Sequence, residues 1–274
     1  MSTNTGVLDH RAVLRLSGKD ARAWLQGLVT NNVETLKAGE GCFAALLSPQ
    51  GKILFDFFVV ADGEGLLIDC RADHAAALSK RLMMYRLRSD VSISETGSSL
   101  AVAVAWGGEA PGVSRAILYA DPREPRMGWR MIGEPQEFDL LDISMGIDAA
   151  YAAHRIECGV PEGGVDFAYD DAFPHETNMD WLHGIDFKKG CYIGQEVVSR
   201  VQHRGSARKR ILRVETGAPV ASGTSVMAGD IILGEIGSVD GAHALASLRT
   251  DRVEEAKAAG VRLFAKGVEV TPLP

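Results

Sequence analysis

The 274-residue sequence is poor in cysteine: Cys42, Cys70, Cys158 and Cys191 lie far apart, with no Cys-x-x-Cys pair and no zinc-type spacing. That usage suits free thiols in a reducing compartment. It also argues against a cluster held permanently by this chain alone, since iron–sulfur clusters normally take four thiolates. A surplus of positive charge is missing too. The 29 Lys and Arg against 36 Asp and Glu leave a net charge of −7, so the molecule is not built to coat nucleic acid. No apolar run approaches the roughly 20 residues of a membrane helix; the most apolar stretch, Ile53 to Val60, is strand-length and contains Asp56. The start, Met1 to His10, has neither the basic and apolar regions of a secretion signal nor the arginines of a transit peptide, and a cytoplasmic protein without membrane contact is expected. The glycines at 39, 41, 63 and 65 do not form Gly-x-Gly-x-x-Gly before a helix, which removes nucleotide binding of that kind. Asp171, His175, Glu176 and His183 share no recognised ligand spacing, so no metal site is expected.

What is present is the texture of a globular protein, with 46% apolar and 24% charged residues. Ser17-Gly18-Lys19-Asp20 reads as a capping box with Ser17 as N-cap, followed by a helix to about Asn31 on the spacing of Trp24, Leu25, Leu28 and Val29. Cys42 to Leu47, Ile53 to Val60 and Leu66 to Asp69 read as antiparallel strands separated by turn-forming residues. A helix is expected over Ala72 to Leu87, then strands over Val91 to Ser94 and Leu100 to Ala105. This order is α+β, not the alternation of a doubly wound sheet. The stretches Gly107 to Gly112 and Asp121 to Arg126, rich in Gly and Pro, read as joints, and Asp142 to Cys158 as a helix ended by Gly159 and Pro161. From about Ser206, the short strands Ile211 to Val214, Ser225 to Met227, Ile231 to Val239 and Ala242 to Leu248 suggest a small β-barrel that Val268 to Thr271 can close. The spans 1–106, 107–205 and 206–274 are the expected domains.

Two blocks carry chemistry. In Lys188-Lys189-Gly190-Cys191-Tyr192-Ile193-Gly194-Gln195-Glu196, cations stand beside a cysteine, and nearby cations favour the reactive thiolate. Gly190 and Gly194 would shape a tight loop around it, while Gln195 and Glu196 orient it. The plainer reading is a buried cysteine in a glycine-punctuated turn. In His154-Arg155-Ile156-Glu157-Cys158-Gly159-Val160-Pro161, Glu157 is either an exposed last-turn residue paired with Arg155 or His154, or a ligand carboxylate. Asp56, among Phe55, Phe57 and Phe58, must be paired, in a cavity, or turned outward on an alternating strand. Arg200, His203, Arg204, Arg208, Lys209 and Arg210 form a basic run. It serves as a solvated linker, as cations for an anionic ligand tail, or as a local RNA footprint, the last opposed by the overall acidity.

Lys-Gly-Cys-Tyr-x-Gly-Gln-Glu resembles the signature of the YgfZ family, folate-binding proteins of iron–sulfur cluster maintenance related in fold to the aminomethyltransferase (T-protein) of the glycine cleavage system. Arg155-Ile156-Glu157 with Gly159 and Pro161 resembles an element of that superfamily, and Pro174 with Asn178 another. The resemblance implies two α+β units and a C-terminal β-barrel around a folate pocket. It further implies that Glu157 binds the pterin ring, whose adjacent N–H and amine groups suit a bidentate carboxylate. Arg155, Asn178, Gln195 and Arg204 complete the expected tetrahydrofolate-binding set, and Cys191, Lys189 and Asp56 the reactive one. T-proteins usually show two adjacent acids where this chain has Phe55 and Asp56, and do not generally carry the cysteine. The leading expectation is therefore a folate-binding protein serving iron–sulfur clients or assembly partners. The alternatives are a folate-dependent aminomethyl transferase and a pure interaction module.

Overall fold

A computed structural model describes residues 3–139, 141, 147–205 and 207–273, with the side chain of Arg204 outside that description. Contacts divide the chain into two compact units. One comprises Met1–Pro49, Leu54–Asp148 and Trp181–Gln195, the other Gln50–Ile53, Ala149–Asp180 and Glu196–Pro274. These units are not consecutive spans, and chain neighbours such as Asp180 and Trp181 fall in different ones.

The first unit holds two sheets. Strands β1 (Asn4–Val7), β2 (Arg11–Ser17), β3 (Gly41–Leu47), β4 (Ile53–Asp62), β5 (Gly65–Arg71), β6 (Ser92–Glu95), β7 (Ala101–Trp106), β8 (Ile117–Ala120) and β9 (Trp129–Gly133) are joined with helices α1 (Ala21–Gln26), α2 (Ala75–Met84) and α3 (Pro135–Phe138). A five-stranded sheet runs β3-β4-β5-β2-β6 and a four-stranded one β1-β7-β9-β8. Period-two alternation decides the faces. Leu14, Leu16, Phe57, Val59, Leu66 and Ile68 point from the larger sheet onto Leu25 of α1 and Leu78 and Leu82 of α2, forming one core. On the smaller sheet Ala103, Ala105 and Met131 pack with Phe138 of α3.

The capping box at Ser17 does not form. Ser17 ends β2, paired with Ser92, and the residue before α1 is Asp20. The Asp20 carboxylate instead accepts the Asp90 N–H at 2.8 Å. The backbone of Asp90 presses on Gly18, which has φ +110°, so closely that a Cβ would lie 2.1 Å from the Asp90 oxygen. Tertiary contact here overrides a local signal. Helix α1 also ends at Gln26, five residues before the expected Asn31.

The remaining faces of the two sheets meet through a layer of charge. Asp69 of β5 is wholly buried and ion-paired to Arg11 at 2.7 Å and to Arg130 of β9. Asp121, equally buried, pairs with Arg123 at 2.7 Å and lies 3.8 Å from Arg130. The guanidinium groups of Arg130, Arg123 and Arg11 stand 4.0, 4.7 and 5.8 Å from the Phe58 ring centroid, cations over an aromatic face. Three cations and two carboxylates are thus stacked where an apolar layer would be ordinary.

The second unit contains α4 (Ile147–Cys158) from Ala149 on, α5 (Gln195–Arg204) from Glu196 on, strands β10 (Lys209–Thr216), β11 (Ser225–Ala228), β12 (Ile231–Asp240) and β13 (His243–Arg249), helix α6 (Thr250–Ala258), and strands β14 (Leu263–Ala265) and β15 (Val268–Pro272). The expected helix is described over Ile147–Cys158, and residues 142–146 of that expectation lie outside the described residues. The six strands close a barrel in the order β10-β13-β12-β11-β14-β15, filled by Val214, Val226, Leu233, Ile236, Leu248 and Val270. The expected α+β class and C-terminal barrel are both present.

Candidate functional site

The segment carrying Cys191 is tied into the first unit by main-chain chemistry. Thr30 donates its hydroxyl to the Gly184 oxygen at 2.6 Å. Asn31 spreads its amide between the oxygens of Phe43 and His183 at 2.7 and 2.6 Å. Lys189 then directs its ammonium at the oxygens of Gln26, Val29 and Asn31, each 2.7 Å away. These are the orphan carbonyls at and beyond the end of α1, and a lysine near a helix C-terminus suits them. Ile193 packs against the helix-covered core.

The Lys189 ammonium thus meets three oxygens of the chain and anchors the loop that bears Cys191. Burial pushes its pKa down to about 8, against Cys42, Asp186 and Glu34, which act to raise it. Lys189→Met should lower the unfolding free energy by about 1–3 kcal/mol, the cost of stranding part-buried acceptors, as read from denaturant midpoints. The sign with pH follows from the depressed folded value. Between about 8 and 10.5 the unfolded chain keeps a proton that the folded chain has released, so this group makes stability rise with pH across that window. The gap between wild type and variant should widen there. A gap that stays constant would mean the lysine does not titrate in the fold.

Cys191 is exposed, whereas Cys42, Cys70 and Cys158 are buried. Burial pushes the Cys42 and Cys70 thiols up to about 12. Gly194 takes φ +81°, and the Gln195 side chain, opening α5, accepts the Tyr192 N–H at 3.1 Å. Gly190 needs no such freedom. A Cβ there meets nothing within 4 Å and its φ is not left-handed, so the expected shaping of the loop rests on Gly194 alone.

In the second unit, Glu157 is exposed on the last turn of α4. Its main-chain oxygen accepts the Arg213 guanidinium at 2.7 Å, and its carboxylate has no partner among the described residues. The two expected partners are engaged elsewhere. Arg155 is buried, holding the Val160 oxygen, Asp166 and Ser238, each at 2.7 Å. His154 faces the Cys158 sulfur at 3.6 Å. Asn178 sits at φ +62° and donates its amide to the Ile211 oxygen at 2.6 Å, leaving a buried amide oxygen with no partner among the described residues. Residues 211 and 213 of β10 thus hold Asn178 and Glu157 respectively. Arg204 lies on α5 with its side chain outside the described residues.

Asp56 is half-buried on β4. Alternation puts it on the strand face of Phe58, opposite Phe55 and Phe57, which pack into the helix-covered core. His175 is buried, its pKa lowered by that burial, and its ring lies 3.3 Å from the Gln202 oxygen. Among the described residues no group of three or more potential ligands could hold a metal ion.

Within the first unit the fold therefore gathers Lys189, Cys191 and Gln195 on one anchored loop, and within the second Arg155, Glu157 and Asn178 about β10. Sequence reasoning missed Thr30, Asn31, Asp166 and Arg213. Lys189 and Val29 are separated by 160 positions, and no local spacing can announce such a pair.

Comparison with known proteins adds a family. Residues 2–135 match the GCVT N-terminal domain, and residues 208–274 the CAF17 C-terminal beta-barrel domain. The chain is 32% identical over 243 residues to the mouse protein named iron-sulfur cluster assembly factor IBA57, mitochondrial, covering 80% of this chain and 68% of that one. The human protein of that name is 34% identical over 231 residues, covering 76% and 65%. A homolog of Mycosarcoma maydis is 35% identical over 222 residues, covering 74% and 55%. The chain spans about half the length of several such relatives. In fold it is similar to the aminomethyltransferase T of the glycine cleavage system from Bartonella henselae, with TM-score 0.80, 14% identity, and coverage of 99% of this chain and 84% of that one. The T-protein-like fold expected from the motifs stands. The cytoplasmic expectation does not, because the matched relatives are mitochondrial proteins, and the composition of ten residues at the start carries no weight against that. Where the motifs suggested YgfZ, the relatives carry another name: the chain belongs to the IBA57 family.

Proposed function

We propose that this protein supports the assembly or repair of iron–sulfur clusters in client proteins, with Cys191 as its functional thiol and a tetrahydrofolate held through Glu157. The names of its relatives favour the first part. One observation carries the thiol: of four cysteines, Cys191 alone is exposed, on a loop that Lys189 pins to the end of α1. A cluster or its iron and sulfur is cargo here, and an exposed thiol on a fixed loop is suited to transient ligation. Client or assembly proteins would supply the remaining ligands.

The chain's own residues fit a pterin. Its edge offers adjacent donors, and the Glu157 carboxylate and the buried Asn178 oxygen are acceptors without partners among the described residues. Arg155, braced by Asp166 and Ser238, positions the helix turn that bears Glu157, and Gln195 and Arg204 stand at the start and end of α5. When bound, a tetrahydrofolate would supply a one-carbon carrier. Calorimetric titration of tetrahydrofolate should give one site, weakened about tenfold or more in Glu157→Ala, since hydrogen bonds to charged groups contribute about 1.5–3 kcal/mol. No binding by the wild type would sink the folate part and leave the thiol part standing. Aminomethyl transfer rests on Asp56, which is half-buried. Release of a one-carbon product from a lipoylated carrier protein would favour it.

A further inference from the structure

The end of α2 carries Lys80-Arg81-Leu82-Met83-Met84-Tyr85-Arg86-Leu87-Arg88. Ala75, Leu78 and Leu82 turn inward and are buried. Beyond them the chain presents Met83, Met84 and Leu87 to solvent at 38%, 64% and 90% exposure. Leu87 is held at φ +45°, a left-handed conformation that a branched side chain rarely adopts. The turn is fixed in place: Trp24 donates its indole N–H to the Tyr85 oxygen at 3.0 Å, and Ser89 N–H donates to the Arg86 oxygen at 2.9 Å. A fold that needed only a turn here would do better with glycine.

Four cations surround these apolar side chains, and among the described residues Lys80, Arg81, Arg86 and Arg88 make no ion pair or hydrogen bond through their side chains. Elsewhere in the unit Arg11, Arg15, Arg71, Arg123, Arg126 and Arg130 all pair with carboxylates. Asp90 follows in the chain, and Asp20 lines a shallow concavity with Leu87, Arg88 and Ser89. Between residues 80 and 90, four cations against Asp90 leave a local surplus of three positive charges on a chain of net charge −7.

We infer that the Met83–Met84–Leu87 surface, with Lys80, Arg81, Arg86 and Arg88 at its rim, docks an acidic amphipathic segment of a partner protein. Charge complementarity selects the sign of the partner, and exposed Met with Arg is the composition of protein interfaces. Methionine adapts its shape to a partner's apolar side chains, while the hydrogen-bonded turn holds Leu87 out toward solvent. A lipid surface fits less well, because α2 has its other face committed to the core and the patch lacks the Trp or Phe of an interfacial helix. The inference does not depend on the reading given to Cys191 and Glu157.

The test uses the full chain and a fluorescein-labelled amphipathic helical peptide of Leu and Glu. A Leu and Lys peptide, a Glu and Ser peptide and phosphatidylserine vesicles run in parallel. The acidic amphipathic peptide should bind, weaken with added salt, and lose about tenfold or more in affinity against Arg86→Glu/Arg88→Glu. Leu87→Gly should weaken binding while leaving the thermal midpoint unchanged or raised. Four results would overturn the inference: equal binding of the acidic and basic peptides, equal binding by the charge-reversed variant, preference for vesicles over peptide, or self-association that the charge-reversed variant abolishes. A lowered midpoint in Leu87→Gly with binding intact would assign Leu87 to packing and overturn it equally.

Discussion

Asp69→Asn should destabilise the first unit by about 3–5 kcal/mol, enough to shift a urea midpoint by a large fraction of a typical domain's stability. Asn keeps the shape of the side chain and removes the charge. Arg130, 2% exposed, would then be left with Asp121 at 3.8 Å as its remaining carboxylate, and Arg11 would lose its 2.7 Å partner. Breaking one partner of a buried pair is costly because the other cannot return to water, even where an apolar replacement of the whole layer would be tolerated. The same layer sets a pH dependence. Burial acts to raise the Asp69 carboxyl, but Arg11 and Arg130 outweigh it and hold the group below its ordinary value of 3.8. For Asp121, burial is likewise outweighed by Arg123 and Arg130. Groups lowered in the folded state contribute stability that is present above their unfolded values and lost as pH falls through the folded ones. The wild type should therefore lose stability below about pH 4, and Asp69→Asn should show a shallower acid slope. A midpoint within the scatter of ordinary surface substitutions would show that the charged layer is not holding the sheets together.

Cys191→Ser should abolish support of client cluster enzymes while leaving folding intact. The side chain is exposed, and exposed substitutions away from special features stay within about 0.5 kcal/mol of wild type. Serine keeps the size and removes the soft ligand, so only steps that need sulfur should suffer. The assay is client enzyme activity in a strain lacking the protein, complemented by wild type, Cys191→Ser or Cys42→Ser, with melting curves for each. Cys42→Ser is the informative control. Its thiol is buried and held up at about 12, so it should alter the melt more than the rescue. Full rescue by Cys191→Ser would end the functional-thiol reading.

Local pattern revealed the strands of the larger sheet after β2 and five of the six barrel strands, the closing one included but not β14, because alternation and glycine turns act over a few residues. It did not reveal β8 and β9, whose flanking Gly and Pro read as joints, nor α6, whose polar face resembles a linker. The candidate residues were legible as motifs, but their contacts were not. Lys189, beside Cys191, also holds carbonyls some 160 positions earlier. Arg155, two residues before Glu157, is bound to Asp166 and Ser238. Long side chains reach well beyond their sequence neighbours, so motif proximity is a poor guide to where a cation ends.

The closed barrel also carries a consequence in time. Its first strand, β10, is bordered by β13 and by the last, β15, through Val214–Pro272, Glu215–Thr271 and Thr216–Val270. No seam can form until the ribosome has made Val268–Pro272. Until that moment β10 offers an open edge to any extended chain nearby, and an open edge is a template for unwanted pairing. The barrel is thus most vulnerable just before its own completion, and a nascent chain stalled short of residue 268 would carry that edge exposed for as long as the stall lasts.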